Sequence, residues 1–543
     1  MRSDAQSIFK SSFTPMWGVG GVLLFSAPPS ALYWILGFLF VLFVLLNLRQ
    51  SSELLNKVIL KRIIIVYVVV FTIAFTLFLA FPRHRVDKTR VGILPAVDPI
   101  SDRSTFSRSA AICEMANQTL AHIFRQDTLV YSLDWIWEAI ATDSLQDRRY
   151  IQNFSGRVLL DFVVLGWMED ETTFNWQILD VHNKTIIAQN AFSQRESLLD
   201  AGQELARQIL TVFKRDHELP SQRSIQDSVL VSYALGLCVA GQGEYRKAIS
   251  LAEKAFALDT LFIPNRNLLA RANLERGIKM AANGEGGNIQ KFLARSLAER
   301  TVKLDSSDAE ATRLLGKYAL VHEMWGIAEK YFKKASALDP HNARVYFDMS
   351  RLHKSRMKSI GFGGTEDLLR YAIELNPCYE EARLYLADYL YFNKWPSRAQ
   401  RETRALLEIN PRSVNGLMFL GKMAVVGGDI QKIIPIYEKL LQIAPKNPDV
   451  YYNLGVFYFN IDDRENAERF FLKAIELGNQ VDAYLYMGYI CQARGEIDKA
   501  VEYYRLRIRH KRGLDDRYAD EARKQLYNLT KPDSSIIKTL GAK

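Results

Sequence analysis

One spacing constrains this chain more than any other feature. Gly421, Gly455 and Gly488 lie 34 and 33 residues apart, and Ala399 and Ala467 bracket one intervening unit at 68. Val450 to Asn479 shows the unit in full: Tyr451, then Leu454-Gly455, Tyr458, Ala467, Phe471 and Ala474. The same frame runs upstream through Leu235-Gly236 with Gly243, Ala248 and Ala255, and through Leu315-Gly316 with Ala328, Phe332 and Ala335. The turns between units read ALDPHN, ELNPCY, EINPRS and IAPKNP, and Pro340, Pro377, Pro411 and Pro445 each fall where a helix must stop. A helix pair of this length cannot bury its apolar face alone, so the units must stack. Eight units begin near residues 229, 263, 309, 343, 380, 414, 448 and 481. The second carries an extra GIKMAANGEGGN and the fourth about three additional residues around SIGFGG, glycine-rich insertions that read as loops.

These residues and their register resemble the tetratricopeptide repeat (TPR), in which small residues sit where two helices cross and large ones fill the gaps. The resemblance implies a mainly α fold, a TPR α-solenoid of about eight repeats over residues 229–514. It also implies that the first helices line a concave groove, with motif positions five, nine and twelve pointing into it. On that frame the groove holds Arg313, Lys317, Phe347, Arg351, Lys354, Asp388, Tyr391, Lys422, Tyr452, Phe459 and Tyr489. Cations and aromatics dominate this lining, which suits an extended or helical peptide of acidic character. The carboxylate clamp of some chaperone-binding TPRs is not assembled, with only Asn453 and Lys422 as candidates. The remaining segment, 515–543, contains Asp515 to Thr530, an amphipathic stretch with Tyr518, Ala522, Leu526 and Leu529 on one side; it is expected to cap the last repeat.

Nothing in the chain spells an active site. Gly416 to Met423 matches a phosphate loop up to its last position, where Met423 replaces the magnesium-binding Ser or Thr, and it falls inside a repeat helix rather than after a strand. Gly361 to Gly364 reads as an insertion loop, and His322-Glu323 lacks a second His four residues on. Asp462-Asp463 and Asp515-Asp516 stand at turns or helix starts, where short acidic side chains cap exposed amides. Cys113, Cys238, Cys378 and Cys491 are far apart, with no CxxC, and read as small hydrophobes rather than a disulfide or zinc framework. No enzyme, cofactor or metal is expected. The net charge of +10 is spread through mixed-sign helical surfaces without a basic, aromatic-interleaved tract, so nucleic acid is not the expected partner.

Residues 88–215 read as an α/β module of order β-α-β-α-β-β-β-α. RVGILPA is a first strand, Thr105 to Phe124 has helical spacing, and Leu129 to Ser132 is a second strand followed by a helix from Trp135. Then come LLDFVVLGWMED, TFNWQILDVHNKT and TIIAQNAFS, and a helix from Ser197 to Phe213 with Ser197 as its cap. The strands RVGILPA and DFVVLGWMED, with ILDVHNKTIIAQ and LLDAGQELARQIL, resemble the TolB amino-terminal-like domain. That resemblance implies a small mixed sheet ahead of a TPR array, in bacterial membrane-bound regulators. Ala96 stands where that family has Phe, and its acidic-glycine loop reads VDPISDRSTFS here.

Residues 1–87 read as a membrane anchor, with uncharged runs at 31–48 and 63–81 close to the length of a spanning helix. A hairpin of two spans puts both ends on one side. The loop cations Arg49, Lys57, Lys61 and Arg62 are outnumbered by the flanking ones, which favours a cytoplasmic body, whereas the TolB-like resemblance implies an extracytoplasmic one and is followed. The chain is thus expected to be a multi-pass protein of the bacterial inner membrane. It would act as a protein-protein interaction scaffold, a subunit or assembly factor of a membrane complex. The alternative is a ligand- or peptide-sensing regulator that signals to a separate effector.

Overall fold

The computed structural model describes residues 88–530 apart from 96–102, 125–127, 132–159, 171, 194–196, 216–217, 220–222, 427–429, 479 and 512–515. Five strands form one mixed sheet: β1 (Thr89–Pro95), β2 (Thr128–Tyr131), β3 (Phe162–Met168), β4 (Thr173–Asp180) and β5 (Thr185–Ser193), in the order β2-β1-β3-β4-β5. β1 runs parallel to β2 and β3, and β3, β4 and β5 form an antiparallel meander. The burial of each strand follows from its residues. β1 is apolar on both faces and buried from Val91 onward, as a central parallel strand must be, while β5 is mostly exposed along its outer edge. The β4–β5 turn is closed by the Asp180 carboxylate, which accepts the Asn183 N–H at 2.8 Å. Helix α1 (Arg103–Ile123) packs on the sheet with α2 (Leu198–Val212) beside it, so close that a Cβ on Gly202 would stand 2.5 Å from Met115 Cβ. Ser197 caps α2, its hydroxyl accepting the Asp200 N–H at 3.1 Å. The helix expected from Trp135 lies outside the described residues.

The rest of the described chain is helical. Pair 1 is α3 (Asp227–Gly241) and α4 (Tyr245–Leu258), pair 2 is α5 (Ile263–Ala282) and α6 (Asn288–Leu304), and pair 3 is α7 (Ala309–Val321) and α8 (Trp325–Leu338). In pair 4 the first helix is broken into α9 (Ala343–Met349) and the short α10 (Lys354–Lys358), with α11 (Thr365–Leu375) as its mate. Pair 5 is α12 (Glu380–Phe392) and α13 (Pro396–Ile409), and pair 6 is α14 (Val414–Val426) and α15 (Ile430–Ile443). Pair 7 is α16 (Pro448–Asn460) and α17 (Arg464–Gly478), pair 8 is α18 (Ala483–Ala493) and α19 (Ile497–Arg509), and α20 (Arg517–Thr530) follows.

The recurring glycine is explained by the second helix of each pair. Built as alanine, Gly316, Gly455 and Gly488 would put a Cβ 2.6, 2.6 and 2.3 Å from the rings of Phe332, Phe471 and Tyr504, so the ring of the second helix lies directly on the first. The turn within a pair needs one residue in the left-handed region, taken by Gly243, Glu323, Lys394, Asp462 and Gly495 in pairs 1, 3, 5, 7 and 8. Between pairs, a side chain ties back to a carbonyl six residues earlier: Arg383 to Pro377 at 3.0 Å, Tyr346 to Pro340 and Tyr451 to Pro445 at 2.9 Å.

The sheet module and the solenoid share one core. Gln118 of α1 donates to the Tyr233 hydroxyl of α3 at 2.9 Å, and the Asp227 carboxylate accepts the Leu198 N–H at 2.8 Å. At the other end of the sheet, the Tyr131 hydroxyl donates to the Leu375 carbonyl at 3.1 Å, the Arg90 guanidinium donates to the Glu374 carbonyl at 3.2 Å, and Cys378 and Ile409 join the module's core. The module therefore bridges pair 1 to pairs 4 and 5.

The expected multi-pass placement is corrected. Among the described residues no helix is long and apolar enough to cross a membrane. The strongly apolar α14, for instance, has only 13 residues where about 20 are needed. The runs at 31–48 and 63–81 lie outside the described residues.

Candidate functional site

A cavity of about 770 Å³ opens on the first-helix face of the solenoid. It is lined by Arg271 and Glu275 of α5, Arg313 and Lys317 of α7, Arg344 of α9, Tyr385 and Asp388 of α12, Phe419 and Lys422 of α14, and Asn453 of α16. The pair 1 turn, Ala240 to Gly243, forms the facing wall. Pair 1 thus looks across the lumen at pairs 5 and 6, because the solenoid curls back on itself.

The floor of this lumen is a closed charge network. Arg313, 1% exposed, chelates Glu310 with two bonds of 2.8 Å and donates to Asp348 at 2.5 Å. Lys317, 3% exposed, donates to Glu275 at 2.5 Å and stands 3.8 Å from the other Asp348 oxygen. These cations come from one helix turn; Glu310 sits on the same helix, while Glu275 and Asp348 reach in from the two flanking pairs, so the network staples pairs 2, 3 and 4. Burial alone would raise the Glu310 carboxyl, but the charge and hydrogen bonds of Arg313 outweigh it and hold the group down at about 2. Burial likewise opposes the charge on Lys317 and Glu275, and each overcomes it through the other, the ammonium rising and the carboxyl falling. Nearer the mouth, burial raises the Glu380 carboxyl against hydrogen bonds from Ser413, Asn415 and Asn410.

With the two floor cations matched by three carboxylates, any positive field offered to a ligand must come from the rim. Arg412 and Lys422 are exposed there, Arg271 and Arg344 are half-buried, and the rim's carboxylates are the exposed Glu381 and the half-buried Asp388. Tyr385, 38% exposed, stacks edge-on against Phe347 with ring centroids 5.9 Å apart.

The residues expected in the groove divide into groups. Arg313, Lys317, Asp388 and Lys422 meet in the cavity. Phe347 is buried beneath it, packed on Tyr379 at 5.2 Å. Arg351 follows the end of α9 and is half-buried, and the side chain of Lys354 lies outside the described residues. Tyr391 is half-buried, its ring 6.3 Å from Phe419. Tyr452, Phe459 and Tyr489 continue the same face into pairs 7 and 8, gathered around Tyr486 at 6.0, 5.2 and 6.3 Å. The frame had a place for Arg271, at position nine of the irregular second unit, but Tyr486 and Glu275 fall on neither five, nine nor twelve. The wall from Ala240 to Gly243 has no signal in a single repeat, because it arrives from five pairs away. Among the described residues no group of three or more His, Cys, Asp or Glu side chains is placed to hold a metal ion.

Comparison with known proteins bears on the repeats. The tetratricopeptide repeat family matches residues 436–469. The BBSome complex member BBS4 of Bos taurus is 29% identical over 126 residues, 22% of this chain and 22% of that protein. The mitochondrial import receptor subunit TOM70 of Mus musculus is 24% identical over 240 residues, 41% of this chain and 37% of its own length. The chain thus spans well under half the length of these relatives. A solved structure of the human IFIT1 dimer with PPP-AAAA superposes with a TM-score of 0.39 at 15% identity, covering 57% of this chain and 79% of that one. These curated relatives are eukaryotic, which together with the lack of a spanning helix among the described residues corrects the expected bacterial inner-membrane location. The chain is a helical repeat protein of the tetratricopeptide type, with a small sheet module ahead of its solenoid.

Proposed function

We propose that this protein is a protein-protein interaction scaffold that takes an acidic segment of a partner, extended or helical, into the lumen lined by the first helices. The observation that carries this reading is the cavity itself: about 770 Å³, walled by first helices of six pairs, with Arg412 and Lys422 exposed at a rim whose floor charges are already paired. Rim cations steer an acidic partner and set its register, while Tyr385 and Phe419 offer rigid contact area at low entropic cost. Repeat solenoids present such surfaces without chemistry of their own, and no catalytic role is assigned. The sheet module, read as TolB amino-terminal-like from its strand RVGILPA, serves here as the brace that keeps the lumen formed.

A photo-crosslinking residue at position 422 tests the reading, with position 254 on the opposite face as the control. The partner is expected to crosslink from 422 and not from 254. Lys422→Glu with Arg412→Glu is expected to weaken capture about tenfold or more while leaving the far-UV circular dichroism unchanged, because exposed rim charges contribute to association more than to folding. Equal capture by the double variant would place the interaction elsewhere.

A further inference from the structure

The first-helix face lines the lumen from pair 2 to Asn453 of pair 7, and at the far end of the solenoid its aromatic residues meet the chain's own helix α20, which packs chiefly on α19 and touches α18. Glu521 of α20 accepts the Tyr489 hydroxyl at 3.3 Å, and Tyr518, three residues earlier on the same side of the helix and 40% exposed, lies close enough to Tyr452 and Tyr486 to disfavour their ionisation. The base of the helix is anchored separately. Arg507, 1% exposed, donates to Asp516 at 2.6 Å and to Asp482 at 2.8 Å. Beyond that anchor the grip is light: of the 14 residues of α20, only Ala519 and Ala522 are buried, and Leu526 and Leu529 are half-covered. A helix holding so little apolar surface opens at low free energy compared with the inner pairs. Its contacts to the aromatic face are polar and follow an i, i+3 pattern, a tyrosine and then a carboxylate.

We propose that the aromatic face of pairs 7 and 8 is a second protein-binding surface, that α20 occupies it as an internal ligand, and that its partner is an amphipathic helix presenting a tyrosine with a carboxylate three residues on. The proposal rests on the protein-binding reading but uses residues separate from the lumen. A partner helix with the same pair displaces α20 by matching its contacts, with Asp516 remaining as the hinge-side anchor. The surface asks for these two groups because Tyr452 and Tyr486 supply hydroxyl partners for a phenol and Tyr489 supplies a donor for a carboxylate.

The test uses the full chain and, as probe, a fluorescein-labelled peptide of residues 516–530, DRYADEARKQLYNLT. Wild type is expected to bind it at least tenfold more weakly than Tyr518→Ala/Glu521→Lys, because the tethered copy competes at an effective concentration on the order of millimolar. Adding Tyr452→Ala and Tyr489→Ala to the double variant is expected to abolish binding. Lys422→Glu/Arg412→Glu, placed in the double-variant background, is expected to leave it unchanged, which separates this surface from the lumen. Equal binding by wild type and the double variant overturns the proposal, as does no binding by a double variant with wild-type circular dichroism. If the double variant loses helical content, amide exchange of wild type decides. Exchange in 517–530 at least tenfold faster than in 497–509 supports a displaceable helix, and equal protection makes α20 a fixed cap and ends the proposal.

Discussion

Arg313 and Lys317 show how far a residue's meaning depends on what stands next to it. By sequence they are groove cations; in the fold their charges are absorbed by Glu310, Asp348 and Glu275, whereas Lys422 on the same face is exposed. The buried Arg313 guanidinium needs both Glu310 and Asp348, and the Lys317 ammonium needs Glu275, since losing a partner leaves an uncompensated charge in a dry site. The pH behaviour follows. Glu310 lies below its ordinary value of 4.5, at about 2, so its stabilisation is complete above the upper value and is lost as pH falls through the lower one. A shift of that size corresponds to on the order of 3 kcal/mol. Thermal melts at pH 5, 4, 3 and 2 are expected to fall in wild type and to fall markedly less in Glu310→Gln, which starts lower. Parallel curves for the two proteins would show that the Arg313 pair does not carry the effect.

At the scale of the element, the unit is a helix pair whose crossing is set by one glycine and one ring. Gly455 lies under Phe471 with no room for a methyl, whereas Gly326, at the start of α8, has only the Arg356 guanidinium at 3.8 Å. Alanine normally stabilises a helix by roughly 1 kcal/mol over glycine. At position 455 that gain is outweighed by overpacking against the ring, with a net loss of about 1–3 kcal/mol, while Gly326→Ala is expected to be neutral or slightly stabilising. Urea melts of the two variants check this, and a stable Gly455→Ala would mean the ring can shift. Lys394 and Asp462 show a related tension: the turn geometry is shared with Gly243 and Gly495, yet ordinary residues tolerate it there at φ 67° and 65°.

For the whole molecule, the important contacts are those of the sheet module with two distant parts of the solenoid. Tyr131 and Arg90 donate to carbonyls at the end of α11, where the first-turn curl is held. Tyr131→Phe leaves the Leu375 carbonyl short of a donor in a buried place, a cost of about 1–3 kcal/mol. The expected result is faster amide exchange in α11 and at 374–378, with pairs 7 and 8 unchanged. Unaltered exchange in α11 would mean that the curl is intrinsic to the repeats and the module rides on it.

The sequence by itself determined the repeat and its register, because the glycine, the ring and the turn proline act within one unit and recur with it. It also determined most strands of the module, the continuous apolar runs of β1 and β3 at its centre being buried on both faces and β2 and β4 alternating. The lumen was decided only by tertiary structure. Its far wall at Ala240 to Gly243 meets Lys422 across the curl of several pairs, and no spacing along the chain encodes that approach. The same holds for which groove cations stay available: Asp348 and Glu275 lie in neighbouring units, and only stacking brings them onto Arg313 and Lys317. Short-range contacts repeat with the sequence, whereas the field inside a superhelix is the sum over units that meet only once the chain has wound.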